Sequence, residues 1–371
     1  MLYYLCKYYL SNLPYLEFLR IVNYISFRSL ASMMTALLFV LIIGERMILW
    51  LHLKKIRDVQ RLYHTVSSEK AGTPSMGGWI IFWGLLLSIL LWNDWENRFV
   101  QIVTVMAICC FTIGAFDDYA KFKYGESDRG LSKFTKLLLQ GLLGLGLAMV
   151  ILYSPFSPYE SGVRTQLCLP FLKPALFAGR NIDLGWFYIP FIIFVFVAIS
   201  NSVNFLDGMD GLAVLPSALT VLVYGVFAYI IGNKIYSHQL LFAHISGSAE
   251  MTIVCAGLIG ACLGFLWFNA YPAQIFMGDS GSLFLGGFLA TLAILVKQEF
   301  LFMIAGGIFV IEGASVFIQM IGFKIGYRIF YRAPIHHTYQ FRGVAETKIV
   351  IRFWIAAFLL TLISLVTIKI R

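Results

Sequence analysis

The sequence contains about ten apolar runs, each close to the length that crosses a bilayer as a helix. They cover residues 29–53, 77–93, 99–116, 134–154, 186–202, 211–231, 251–268, 283–297, 300–322 and 350–368. Only 13% of the residues are charged, whereas soluble domains have about a quarter. We therefore predict an all-α polytopic membrane protein, with a single integral membrane domain over residues 1–371.

Basic residues are unevenly shared between the loops that join these runs. The loops after the first, third and ninth runs hold sixteen lysines and arginines, and the loops on the opposite side hold six. The positive-inside rule places the basic loops in the cytoplasm and both termini on the outer, periplasmic face. The net charge of +9 is then explained by basic loops next to the anionic headgroups of membrane lipids, without nucleic acid as a partner.

Two acidic residues, Asp117 and Asp118, end the third run beside a predicted cytoplasmic loop. Lys121 follows one helical turn later and shares a face with them. Adjacent carboxylates at a membrane edge are costly unless they are paired or functional. The alternative is a solvated helix end of the ordinary kind.

Polar residues also recur at the end of the fifth run and before the eighth. At the fifth they form one slanting stripe every three residues: Asn201, Asn204, Asp207 and Asp210. Such a stripe suits a metal-phosphate or polar headgroup, although a glycine-rich turn capped by aspartate is the alternative.

Before the eighth apolar run, Gly278 to Ser282 precede an apolar helix predicted to begin at Leu283. This segment offers N–H groups to phosphate and Asp279 to a divalent cation, unless it is an ordinary helix cap.

The last basic loop carries His336 and His337, which suit phosphate binding, metal binding or proton transfer. A surface position without function is the alternative. Lys70, before the second run, is a further candidate phosphate contact. Acids for Mg²⁺ and cations for phosphate together indicate metal-assisted phosphoryl chemistry at the cytoplasmic face.

Five segments carry a resemblance to a known family: residues 72–78, 116–121, 204–212, 265–283 and 333–337. They resemble the polyprenyl-phosphate N-acetylhexosamine-1-phosphate transferase superfamily, and within it the muramoyl-pentapeptide branch. The resemblance implies transfer of phospho-MurNAc-pentapeptide from UDP-MurNAc-pentapeptide to undecaprenyl phosphate, which gives lipid I and UMP. It also implies Mg²⁺, a cleft at the cytoplasmic face, the bacterial inner membrane and a homodimer.

The same resemblance implies roles for individual residues. Asp117 becomes the base on the lipid phosphate, Asp118 its neighbour in the catalytic pair, and Asp279 the Mg²⁺ ligand. The residues expected to line the nucleotide and metal site are Asn204, Asp207, Asp210, Asn269 and, near the uracil, Phe276. Those expected to bind phosphate or substrate are Lys70, Lys121, Lys136, Ser282, His336 and His337. Lys136 is preferred to Lys133 because of its offset from Gly130 and Leu131.

Thr338 and Gln340 depart from the family pattern, which has a third histidine and then, after one residue, a glutamate. Threonine carries no proton or charge, so a mechanism that needs a third histidine as acid or base is disfavoured. Two other functions remain open, namely GlcNAc-1-phosphate transfer and transport. We expect irregular or hairpin structure between Tyr153 and Trp186, on the outer side.

Overall fold

The computed structural model describes residues 1–8, 17–54, 72–124, 130–153, 155–160, 162–169 and 182–370. The first seven α-helices are α1 (Leu2–Tyr8), α2 (Ile25–Leu53), α3 (Gly78–Trp92), α4 (Arg98–Tyr124), α5 (Lys133–Leu152), α6 (Tyr188–Leu206) and α7 (Val214–Gly232). The others are α8 (Lys234–Gln239), α9 (Met251–Asn269), α10 (Gly278–Leu295), α11 (Phe302–Ala305), α12 (Gly307–Lys324), α13 (Ile335–Phe341) and α14 (Glu346–Ile370). Short 3₁₀ turns cover Glu17–Asn23, Gly185–Phe187 and Ser248–Glu250.

The predicted all-α polytopic fold is confirmed. Within the described ranges, nine helices are long and apolar enough to cross a membrane, and the apolar α3 is shorter at 15 residues. Each of the ten predicted runs corresponds to one of these helices. The sidedness of the two termini stays a prediction.

Three boundaries differ from the sequence prediction by five residues or more. Helix α4 continues to Tyr124, beyond the apolar run, so the acidic pair lies within the helix. Helix α10 begins at Gly278, five residues before Leu283. Helix α12 begins only at Gly307, because a turn and the short α11 follow α10. Between α5 and α6, β1 (Gln166–Leu167) pairs antiparallel with β2 (Ile182–Asp183), as the expected hairpin structure requires.

Helix α10 lies at the centre of the fold. All its residues from Ser280 to Leu295 are buried, and α3, α4 and α6 pack around it. The apolar surface of this helix therefore meets other helices rather than lipid, which fixes its position from all sides.

The C-terminal end of α10 is held by a buried polar network. The Lys297 ammonium donates to the Tyr188 hydroxyl and to the Arg164 carbonyl, both at 2.6 Å. The Tyr188 hydroxyl in turn donates to the Glu299 carboxylate at 2.5 Å. Buried charges are stable only when they are paired and hydrogen-bonded, so this network joins Arg164 and Tyr188 to the turn after α10.

Candidate active site

The first turn of α10 is capped by a side chain from another helix. The Asp118 carboxylate, on α4, accepts hydrogen bonds from the N–H groups of Asp279 at 2.9 Å and Ser280 at 2.8 Å. The first N–H groups of a helix have no partner within it, and a carboxylate also suits the positive end of the helix dipole. This contact explains why α10 begins at Gly278. It also means that both Asp118 oxygens are engaged, one with the backbone of Asp279 and the other with that of Ser280.

Two glycines let the neighbouring helices reach this turn. A Cβ on Gly114 would lie 2.2 Å from the Asp279 carbonyl oxygen, and one on Gly78 would lie 2.1 Å from the Gly281 nitrogen. No side chain fits at such distances, so α3 and α4 contact the start of α10 backbone to backbone. The position of Asp279 therefore depends on the absence of two side chains.

Two lysines bridge two aspartates in the middle of the cluster. The Lys121 Nζ lies 2.8 Å from Asp117 Oδ2 and 2.7 Å from Asp279 Oδ2. The Lys136 Nζ makes the same two contacts at 2.8 and 2.7 Å. The second oxygen of Asp117 accepts the Leu131 N–H at 2.7 Å. The Asp117 side chain is fully buried, and burial of its charge is tolerated because of these partners.

Asn204 and Ser282 complete the surroundings of Asp279. The Asn204 amide donates to Asp279 Oδ1 at 2.8 Å and to Ser282 Oγ at 2.7 Å. The polar stripe at the end of α6 thus meets the start of α10. Both oxygens of Asp279 have partners, with the lysines on one and the amide on the other.

The three aspartates are close enough to share a cation. One carboxylate oxygen from each of Asp117, Asp118 and Asp279 lies within 4.8 Å of the others. Mg²⁺ prefers a few carboxylate oxygens and keeps several waters, so an all-oxygen donor set of this kind fits it. Because Asp118 accepts two backbone N–H groups and Asp117 accepts one, Asp279, whose partners are all side chains, is the better ligand candidate.

A second polar region joins the loop after α6 to the segment before α10. Asp210 Oδ2 accepts the Ala273 N–H at 3.2 Å. The Asn269 amide accepts the Gly211 N–H at 3.0 Å and donates to the Ile275 carbonyl at 2.8 Å. Asp210 and Asn269 therefore fix the backbone around the cluster. The other acid of this loop, Asp207, lies at the C-terminal cap of α6.

Phe276 is 4% exposed, and its backbone N–H donates to the Pro74 carbonyl at 2.9 Å. The predicted stacking on uracil therefore requires the ring to turn outward. Lys70, the other predicted contact before α3, lies outside the described residues.

The two histidines have different surroundings. His336 is fully buried, and its backbone N–H donates to Glu312 Oε1 at 3.1 Å. His337 is half-buried, with Nδ1 3.2 Å from Gln340 Oε1. Thr338 joins α13 to the loop before it. Its hydroxyl donates to the Arg332 carbonyl at 2.5 Å and accepts the Arg332 N–H at 3.2 Å. Thr338 and Gln340, the two departures from the family pattern, therefore each contact a nearby residue.

Sequence reasoning missed two acids that contact this region. Glu312, in the second turn of α12, contacts His336, and Glu346, in the first turn of α14, accepts the Asp210 N–H at 3.1 Å. For Glu312 a signal was present, since an acid inside an apolar spanning run is a functional candidate by default.

The structure gathers most of the predicted residues at one end of the helix bundle. One cluster contains Asp117, Asp118, Lys121, Lys136, Asn204, Asp279 and Ser282. Asp210, Asn269 and Phe276 lie on the segments that adjoin it. A site of this kind holds oxygen ligands for a cation and two ammonium groups for phosphate within a few ångströms.

Comparison with known proteins agrees with the family resemblance of the sequence. The family model for glycosyl transferase family 4 matches residues 100–297. The phospho-N-acetylmuramoyl-pentapeptide-transferase of Oleidesulfovibrio alaskensis is 43% identical over 360 residues, which are 96% of this chain and 97% of the relative. The protein of the same name from Pelagibacter ubique is 42% identical over 360 residues, 96% of each chain. The chain therefore belongs to glycosyl transferase family 4, within the group of phospho-N-acetylmuramoyl-pentapeptide-transferases.

Proposed function

We propose that the chain transfers phospho-MurNAc-pentapeptide from UDP-MurNAc-pentapeptide to undecaprenyl phosphate, forming lipid I and UMP for peptidoglycan synthesis. The observation that carries this proposal is the buried cluster in which Lys121 and Lys136 bridge Asp117 and Asp279. It combines ammonium groups for phosphate oxygens with carboxylates for a cation and a proton. The relatives of the same name, aligned over nearly the whole chain, support the choice of substrates.

In the proposed reaction an oxygen of the lipid phosphate attacks the β-phosphorus of the UDP-sugar. The new P–O bond forms as the bond to UMP breaks, and UMP leaves with the electron pair. Asp117 accepts the proton of the lipid phosphate where that phosphate arrives protonated. Lys121 and Lys136 neutralise phosphate oxygens, which is where the transition state of phosphoryl transfer spreads its charge.

Mg²⁺ held by Asp279 would neutralise the diphosphate of the nucleotide. The Asn204 amide orients Asp279 through Oδ1, and Asp118 holds its backbone. Asp118 is therefore a positioning residue in this proposal, whereas the sequence prediction grouped it with the catalytic acids. Removal of Mg²⁺ with EDTA is expected to stop UMP release, and added Mg²⁺ to restore it.

A direct attack is preferred to a phospho-enzyme. Both oxygens of Asp117 are bound by donors, which makes this carboxylate a poor nucleophile. Metal and positioning can supply most of the reduction in the barrier. A phosphorylated aspartate trapped after addition of UDP-MurNAc-pentapeptide alone would overturn this preference.

The decisive assay measures UMP release by the purified full chain in detergent, with undecaprenyl phosphate and either UDP-MurNAc-pentapeptide or UDP-GlcNAc. We expect release with the first nucleotide only. Release with UDP-GlcNAc alone would indicate the GlcNAc-1-phosphate branch. Uptake of a solute by vesicles without UMP release with either nucleotide would indicate a transporter.

Lys136→Gln is expected to lower the rate of UMP release by about 10²-fold, because a charged contact to phosphate is lost in a buried site. Lys133→Gln is the matched control, one turn earlier on the same helix, where the side chain is exposed. Equal losses in the two variants would contradict the role proposed for Lys136.

Asp118→Asn is expected to lower the rate by about 10²-fold, since a misplacement of about 1 Å is enough for such a loss. An asparagine can offer one carbonyl oxygen to the first turn of α10, and its NH₂ group would face the second N–H. The thermal unfolding midpoint should fall as well, as for a lost helix cap. An unchanged midpoint with a lost rate would indicate direct chemistry by Asp118.

We further propose that the chain acts as a homodimer in the bacterial inner membrane. The molar mass of the detergent-solubilised protein, measured by light scattering after size exclusion, tests the first point. A protein mass of one chain would contradict it.

A further inference from the structure

Helix α12 carries a buried acid that the proposed reaction does not use. Glu312 is fully buried near the start of this apolar helix. An acid in a spanning helix is costly unless it has a partner, and such residues are functional candidates for that reason. Its partner identifies what the residue does.

The partner is His336, which Glu312 contacts twice. Glu312 Oε1 accepts the backbone N–H of His336 at 3.1 Å, and Oε2 lies 3.3 Å from the ring Nδ1. The first contact also satisfies an N–H in the first turn of α13, which begins at Ile335. Glu312 therefore fixes the backbone of His336 and lies in contact with its ring.

The opposite edge of the ring meets the loop after α6. A Cβ on Gly208 would lie 2.4 Å from His336 Nε2. The ring thus fills the space between Glu312 and the loop that carries Asp207 and Asp210. Because His336 is 0% exposed, a substrate cannot reach its ring in this conformation.

The far side of the same loop is held by α14. Glu346 accepts the Asp210 N–H at 3.1 Å, and the Trp354 indole donates to the Gly211 carbonyl at 3.1 Å. The loop therefore lies between two supports, with His336 on one side and α14 on the other.

His337 differs from its neighbour although the two ring centroids are only 4.2 Å apart. It is half-buried, and its Nδ1 lies 3.2 Å from the Gln340 carbonyl oxygen. This contact holds the Nδ1 edge of the ring, and Nε2 lies on the other edge. The Gln340 side chain thus orients the ring of His337.

We propose that the two adjacent histidines have different roles. His336, held by Glu312, is a buried positioning residue that supports the loop carrying Asp207 and Asp210. His337, oriented by Gln340, is the histidine that meets the substrate. This inference rests on the proposed function for its kinetic readout, while the support of the loop by His336 also has a test that needs no activity.

The kinetic test combines Gly208→Ala with His336→Asn. Gly208→Ala should raise KM for UDP-MurNAc-pentapeptide by about tenfold, because the new methyl group displaces the loop by a few tenths of an ångström or more. The KM for undecaprenyl phosphate should stay unchanged, which general destabilisation would not produce. His336→Asn should partly restore KM in the double variant, because the shorter side chain removes the clash.

Gly141→Ala is the matched control, since a Cβ there meets nothing within 4 Å. If His336 instead bound the substrate directly, the two losses would multiply and the double variant would be worse than either single one. That result, or a KM change in undecaprenyl phosphate alone, would overturn the proposal.

The test without activity is a thermal unfolding cycle with Glu312→Gln and His336→Asn. Each change should lower the unfolding midpoint, and the double variant should fall by less than the sum, because both remove one contact. His337→Asn should leave the midpoint unchanged. Strictly additive shifts for the first pair would contradict the pairing of Glu312 with His336, whether or not the chain releases UMP.

Discussion

Asp279→Asn is expected to lower UMP release by about 10³-fold, the largest loss for any single side chain of the cluster. The change removes the negative charge that two lysines and, in the proposed reaction, Mg²⁺ share. It keeps the size of the side chain and a carbonyl oxygen for the Asn204 amide. The rate of UMP release by the purified chain, with undecaprenyl phosphate and saturating Mg²⁺, measures the effect.

Asp183→Asn is the control for this prediction, because Asp183 is exposed at the end of strand β2 and makes no contact with the cluster of Asp279. Its rate should equal that of the unchanged chain. The thermal unfolding midpoint of Asp279→Asn should remain close to that of the unchanged chain, so that a lost rate reports chemistry. A variant that keeps a tenth or more of the rate would remove Asp279 from the proposed mechanism.

Gly114→Ala is expected to have the second-largest effect, with at least about a 10²-fold loss of rate. The new Cβ would lie 2.2 Å from the Asp279 carbonyl oxygen, a backbone atom that cannot rotate away. Helix α10 must then move away from α4, which separates Asp279 from Lys121 and loosens the cap made by Asp118. Overpacking of this kind typically costs about 1–3 kcal/mol, so the unfolding midpoint should fall too.

Gly146→Ala on α5 is the matched change, because its Cβ would meet nothing within 4 Å. A helical alanine is also favoured over glycine there, so this variant should be at least as stable as the unchanged chain. Comparable losses in both variants would show that backbone flexibility, and not the close contact of α4 with α10, explains the effect.

The sequence alone was sufficient for the membrane class and for the main elements, because spanning helices leave a long apolar signal that depends on no distant contact. It was less informative about where a helix starts. Leu283 is where the apolar run begins, but α10 starts at Gly278 because Asp118, far away in the sequence, caps its first turn. A helix end that depends on a tertiary contact carries no local signal of its own.

The candidate site, too, was only partly predictable from the sequence. The polar segments were visible as departures from apolar runs, and the structure brings most of their residues together. The role of each residue was harder to predict, since Asp117 and Asp118 are neighbours of the same type. Only their hydrogen bonds separate a carboxylate that faces two lysines from one that holds a backbone. Glu312 was overlooked because a single acid in an apolar run forms no pattern with its neighbours.

The complete burial of α10 has a consequence for the bilayer around the protein. Membranes of different thickness act on helices that touch lipid, which respond by tilting. The helix that carries Asp279 and Ser282 has no such surface along Ser280 to Leu295, and its two ends are held by Asp118 and by the Lys297 network. We therefore expect a change in lipid acyl length to move α10, which carries Asp279, less than it moves the helices around it that have exposed apolar faces.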